Sequence, residues 1–251
     1  MSSHAQNKAI IAYHEVMPES NYSYCVPLRQ FKDQLRVLGH GSDAGPGALV
    51  TFDDGELSQM EIAAPLLLEF GIKATYFITP ALIGTARKFL GWEQLRQLQA
   101  EGHSVQSHGW SHKFLTGCDD HDLKHELKMS RQTLEDRLGD RVEEISIPGG
   151  RWDARVLRAC ADAGYRRVYV SEPWMATEMC GVKVLGRFMV RNTTSLQQFE
   201  RIVQGDKAIL RKMKMRFQIR KGIVNLVGDD RYHRMWCRLT GYNEFEEARQ
   251  Q

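Results

Sequence analysis

The sequence predicts an α/β fold built on a parallel sheet. Three observations carry that reading. Short apolar, β-branched runs alternate with longer stretches of helical period over most of the chain. The stretches between runs are long enough to serve as crossovers, which parallel strands require. No apolar run approaches the roughly 18 residues of a membrane span, so the runs belong to a buried sheet.

The predicted strands are AIIAYH (9–14), ALVTF (48–52), ATYFIT (74–79), HSVQSH (103–108), EISIP (144–148), RVYVSE (167–172) and VKVLGRFMV (182–190). Helices are expected near 28–39, 58–70, 91–101, 121–138, 153–163 and 195–204. Asp153 is placed to cap ARVLRACADAG, and Gly164 to close it. Trp92 opens WEQLRQLQAEG, which ends in the same way at Gly102. Six or seven β–α steps fit either a doubly wound sheet or a barrel. The alternation stops near Gly205, which divides the chain into a domain of residues 1–204 and an extension of residues 205–251.

Composition sets the outer bounds. A chain of 251 residues is long enough to bury a core without staples. Apolar residues at 42% and charged residues at 26% are ordinary for a soluble globular protein. The five cysteines are scattered and never spaced CxxC, so they are expected as reduced core residues. The opening MSSHAQNKAIIAYHEV lacks a charged segment followed by a long apolar one, so the expected location is cytoplasmic. The net charge of +3 is uneven: the extension alone holds 11 Lys and Arg against 6 Asp and Glu.

The strand ends hold the chemistry. His14, Asp53, Asp54, His108 and Pro148 all follow directly on predicted strands. In parallel α/β folds the C-terminal strand ends share one face, and active sites are built there. TFDDG puts two carboxylates at such an end, and Gly55 permits a sharp turn away. Two adjacent carboxylates in a dry mouth need a positive partner, and a divalent metal supplies one. SHGWSH adds His108 and His112. Two imidazoles and one carboxylate leave a coordination position open, the pattern of a catalytic zinc site. The second carboxylate is then available as general base. Alone, each motif has an ordinary explanation as a polar turn or a pair of surface histidines. Together, on separate strand ends, they point to one site.

These segments resemble the polysaccharide deacetylases, the NodB-homology group of carbohydrate esterase family 4. TFDDG is similar to the first motif of that family, and GHSVQSHGWSH to its His-x-x-x-His metal motif. YHEVMPE, PLLLEFGIKATYFITPALIG, SIPGGRWDARVLRACADAGY and LGRFMVRNTTSLQQFERIV read likewise, so the resemblance covers roughly residues 9–204. It implies a distorted (β/α)7-type barrel, here with a C-terminal helical extension. It also implies metal ligation by Asp54, His108 and His112, usually of zinc, with Asp53 as the catalytic base. The backbone N–H after Pro148, that of Gly149, becomes the expected oxyanion donor. The implied reaction removes N-acetyl groups from an amino-sugar glycan, in exopolysaccharide or cell-envelope assembly.

The chain departs from the family at four places. Ser146 or Ile147 stands where an arginine usually orients the catalytic aspartate, and Arg151 is the expected substitute. The last motif reads VLGRFMV, with Arg187 in place of a histidine acid, which leaves His14 as the candidate acid. Gly149 replaces an aromatic, so Trp152 is the expected pocket wall. Gly109 follows His108 where a hydroxyl residue often steadies the loop, so Trp110 or Ser111 must hold it. His103 opens its strand and is expected at the opposite, structural end. His4, His40, His121, His125 and His233 sit in polar or terminal stretches and receive no role.

Two other functions remain open at this level: hydrolysis of a small amide or imide on the same scaffold, and glycan binding with weak or no catalysis. The extension segment DKAILRKMKMRFQIRKG carries seven Lys and Arg and one acid, interleaved with apolar residues. Read as a helix, it suits the inner-membrane surface or a lipid-linked intermediate. Nothing else in the chain supports a nucleic-acid partner.

Overall fold

The structure is a computed structural model that describes residues 8–39, 47–86, 88–227 and Met235. The extension beyond Val227, Met235 apart, lies outside the described residues, as do His4, His40 and His233. In chain order the elements begin with β1 (Ala9–Tyr13), β2 (Glu15–Met17), β3 (Cys25–Pro27), α1 (Leu28–Gly39) and β4 (Ala48–Phe52). A π-helical turn, Gln59–Ala63, leads into α2 (Ala64–Glu69). The predicted helix at 58–70 is therefore interrupted in its hydrogen bonding. Next come β5 (Ala74–Ile78), α3 (Trp92–Ala100), β6 (Ser104–Ser107), α4 (Asp120–Leu138), β7 (Glu144–Ser146), α5 (Ala154–Asp162) and β8 (Arg167–Val170). The chain continues through β9 (Ala176–Met179), β10 (Val182–Gly186), β11 (Phe188–Met189), α6 (Leu196–Val203) and α7 (Lys207–Val227). Asp153 caps α5 by accepting from the Val156 N–H at 2.8 Å.

The main sheet runs β11-β1-β4-β5-β6-β7-β8-β10-β9, and only β9 is antiparallel to its neighbour. With the edge strand β9 set aside, its two ends are nearly one segment. β10 pairs with β8, β11 pairs with β1, and Arg187 alone separates them. Counting that segment once and setting β9 aside leaves seven parallel strand positions, the barrel-like arrangement the resemblance implies. The hydrogen-bonded ladder is not an unbroken ring, because the segment switches partners at Arg187. The N–H of Arg187 still donates to Val170 O, and that of Val190 donates to Ala12 O.

Period-two alternation sorts the strand side chains into two layers. Ile11, Tyr13, Val50, Phe52, Tyr76, Ile78, Val105, Ile145, Val168 and Val184 face outward into the main core under the helices. Tyr13, Phe52 and Tyr76 form a continuous aromatic stack there, with centroids 5.5 and 5.1 Å apart. The inward positions are smaller in apolar content: Ile10, Phe77 and Tyr169 form a separate interior cluster with Leu185 against it. Below that plug the interior is polar, with Tyr169 Oη donating to Glu144 and Arg167 paired to the same carboxylate. Above it lie the strand ends. His103 sits at the other end, buried, with its Nδ1 accepting from the Ala74 N–H.

The loop after β8 presses on the closing segment at Gly186. A Cβ there would lie 1.8 Å from the carbonyl oxygen of Glu172. The contact is with backbone, so no rotamer change relieves it. Gly186→Ala is expected to cost about 1–3 kcal/mol or more by overpacking, read as a lowered melting temperature in thermal unfolding.

Candidate active site

The strand register carries the inward side chains to one mouth. His14 follows β1, Asp53 follows β4, His108 follows β6 and Arg187 follows β10. Ligand atoms of Asp54, His108 and His112 lie within 4.8 Å of one another. Asp54 Oδ1 is 3.3 Å from Nε2 of both histidines. That oxygen is buried and has no hydrogen-bond donor. An orphaned carboxylate oxygen facing two imidazole nitrogens suits a divalent cation, so the residues present fit a metal.

The local backbone is shaped for this convergence. Asp54 (φ 72°) and His112 (φ 63°) both occupy the left-handed region, which side chains seldom adopt. His108 is oriented from behind: its Nδ1 lies 2.9 Å from the carbonyl oxygen of Ser146, which leaves Nε2 for the mouth. Burial pushes the Asp54 carboxyl up, yet the nearby imidazoles of His108, His112 and His14 hold it well below its ordinary value.

Asp53 lies beside that cluster, its Oδ2 4.0 Å from His108 Nε2, and is held by a guanidinium clamp. Arg187 Nη1 donates to Asp53 Oδ1 at 2.7 Å, and Nη2 donates to Oδ2 at 2.6 Å. The same guanidinium donates to Thr51 Oγ1 and Ser146 Oγ, and its carbon lies 5.2 Å from the centre of the Phe77 ring. Arg187 is 1% exposed and Asp53 2%. Burial raises the Asp53 carboxyl, but Arg187, followed by His108 and His14, outweighs it, so the group stays below its ordinary value. A two-pronged grip on Asp53 leaves Asp54 as the carboxylate turned toward the histidines.

The expectation that Arg151 replaces the missing arginine is therefore corrected. Arg151 stacks over Phe114, 4.2 Å from its ring centre, while Arg187 reaches Asp53 from the closing strand. Ser146 is small enough to leave room for that reach and adds its own bond, 3.2 Å, to Asp53 Oδ2. An aromatic the sequence reading did not name stands at Gly149. Gly149 has φ +63°, and a Cβ there would lie 2.4 Å from Phe114. Trp152 packs against the main core, with its Nε1 donating to Glu172. Pro148 is buried beside Gly109.

The loop after His108 is held mainly by a residue the sequence did not reveal. Glu126 on α4 is 2% exposed. Its Oε2 accepts from the N–H of Trp110 at 2.9 Å and of Ser111 at 2.8 Å, and its Oε1 accepts from Ser111 Oγ. Ser107 Oγ accepts from the Gly109 N–H. Ser111 thus takes part, and Trp110 contributes its backbone as well as an edge contact to His125. No spacing rule ties Glu126 to SHGWSH; a buried glutamate on a helix was the only available signal.

His14 stands at the rim, its Nε2 4.0 Å from Asp54 Oδ2 and its ring 5.0 Å from that of Tyr24. Burial lowers its pKa, which Asp54 and Asp53 partly offset.

Fold and mouth together define a barrel-like α/β scaffold with an Asp-His-His cluster beside a second, clamped carboxylate. Residues 40–168 match the family model described as polysaccharide deacetylase, and the chain belongs to that family of hydrolases acting on N-acetyl amide bonds. YxkH of Bacillus subtilis strain 168, which carries the same family name, is 27% identical over 216 residues, 79% of this chain and 76% of that protein. A chitooligosaccharide deacetylase of Sinorhizobium fredii is 27% identical over 142 residues, 55% of this chain and 63% of the relative. The Streptococcus pyogenes deacetylase PplD, solved in complex with acetate, superposes with a TM-score of 0.69 at 20% identity. It covers 78% of this chain and 97% of its own, a likeness of fold.

Two variants test the supports. Arg187→Met strands a buried carboxylate and is expected to cost about 3–5 kcal/mol at neutral pH. Without its partner, Asp53 titrates higher, so the loss shrinks as pH falls and the carboxyl protonates; urea unfolding at neutral and acid pH reads this. Glu126→Ala is expected to weaken divalent-cation binding at the Asp54, His108 and His112 cluster about 10–100-fold, read by calorimetric titration.

Proposed function

We propose that this chain is a metal-dependent carbohydrate N-deacetylase, with Asp54, His108 and His112 as ligands. The observation that carries the reading is their convergence around the orphaned Asp54 Oδ1, with Asp53 clamped alongside. A divalent metal held there, zinc by the chemistry of two imidazoles and a carboxylate, acts as a Lewis acid toward water and carbonyl oxygen.

The chain's own groups do the rest. Asp53 takes a proton from the attacking water, and its depressed pKa keeps it ionised for that role. Arg187 holds Asp53 so that proton transfer needs no side-chain search. The N–H of Gly149 meets the oxygen that becomes negative as the carbonyl carbon turns tetrahedral. When the C–N bond breaks, the departing nitrogen needs a proton. His14 is the imidazole of the mouth outside the ligand set and, in its protonated form, the candidate donor. Acetate and a free amine result.

The substrate in this reading is an N-acetylated amino-sugar glycan, supported by the family and by relatives named for chitooligosaccharides and chitin. A role in exopolysaccharide or cell-envelope assembly belongs to the same proposal and follows from the family likeness. The reading as a non-catalytic glycan binder drew on a missing arginine and a missing histidine; Arg187 removes the first reason.

The zinc-loaded protein is expected to release acetate from N-acetylglucosamine oligomers. Asp53→Asn should retain metal and lose about 10²–10⁴-fold in turnover. Equal rates in the two proteins, measured by acetate assay beside metal analysis, would remove Asp53 from the base role. Turnover of a small cyclic amide in place of the oligomers would favour the other hydrolase reading.

A further inference from the structure

The helix α7 has a face that the barrel does not use. It follows α6 after a turn at Gly205 and packs inward through Ile209 and Met213 against the main core. One turn further along the same stripe, Phe217 meets Trp174 edge-on, with ring centroids 5.2 Å apart. Trp174 lies in the loop after β8, on the side of the barrel where the strand ends form the mouth. The helix therefore climbs the outer wall, reaches the rim at Phe217 and continues through Val227.

Its outward side is apolar and basic at once. Met215 is 57% exposed, Ile219 58% and Ile223 39%. These positions are spaced i, i+4, i+8 and form one stripe. At 100° per residue Arg211 and Arg216 bracket that stripe and Lys212 falls within it, and all three are exposed. Residues 207–227 contain seven Lys and Arg and no Asp or Glu. A face meant only for water has no need of three large apolar side chains. A face meant only for another protein's apolar patch would not be flanked by three exposed cations.

We propose that α7 is a docking surface for an anionic phospholipid bilayer. The stripe Met215–Ile219–Ile223 enters the boundary between headgroups and acyl chains, and the flanking cations meet lipid phosphates. Docking through this helix brings the rim of the mouth beside the membrane.

The test uses the full chain, cosedimented with vesicles of phosphatidylcholine alone or with phosphatidylglycerol added, at low and high salt. Binding to the phosphatidylglycerol vesicles is expected at low salt, about tenfold or more stronger than to phosphatidylcholine, and reversed by salt. Arg211→Glu with Lys212→Glu and Arg216→Glu should weaken it about a hundredfold. Met215→Ser with Ile219→Ser should weaken it about tenfold, while an all-lysine variant of the two arginines retains it. Circular dichroism and acetate release from a soluble oligomer confirm that each variant is folded, and they read the chemistry of the mouth separately. The proposal is overturned if wild type stays in the supernatant at low salt, or binds both vesicle types equally. It is also overturned if the serine variant binds as wild type, which marks a simple polyanion face. Dissociation of a dimer by the serine variant, with vesicle binding unchanged, would assign the stripe to a second copy.

Discussion

The buried ion pair between Arg187 and Asp53 is the constraint on which the mouth depends. A guanidinium at 1% exposure is tolerable because its charge is met by a carboxylate and its two Nη groups donate to Asp53, Ser146 and Thr51, with Nε alone left without a partner. The same pair assigns the two aspartates of TFDDG to different work. Chemically they are identical, and adjacent in sequence. The clamp takes both oxygens of Asp53, whereas Asp54, in a left-handed backbone conformation, turns to the histidines. In the proposed function, two environments thus divide one dipeptide into a group that would hold a cation and a group that would exchange a proton.

Much of this was legible in the sequence. The strands were marked by β-branched runs and the helices by periodicity, because each strand has to bury an outward face under a helix. The reactive groups were legible because they follow the strands directly, and parallel topology brings such positions together. What escaped is what depends on side-chain reach. Arg187 was visible as a residue, but nothing local says that a side chain at the last strand crosses the barrel interior to Asp53. The clue lay in two departures read separately: a serine where an arginine was expected, and an arginine where a histidine was expected. Joined, they describe one guanidinium arriving from another strand. Phe114 escaped for a related reason. An aromatic lost at Gly149 is replaced from a loop 35 positions earlier in the chain, and only the clash that a Cβ would meet reveals it.

Glu126 illustrates a second limit. Loops that carry ligands need their backbone N–H groups satisfied, and a buried carboxylate can serve two of them at once. Such a partner can come from any neighbouring element. Helix α4 supplies it here because it packs beside β6, whose end starts the loop.

The closing segment carries one more implication. Strand side chains alternate, so Leu185 and Arg187 point into the barrel while Val184 and Gly186 point toward the helices or the loop. Inserting or deleting a single residue between Val182 and Arg187 would invert that alternation. The guanidinium would turn toward the apolar helical layer, and a side chain would be forced into the loop that only a glycine admits. Length variation is thus barred from this strand for two unrelated reasons, one of charge and one of space.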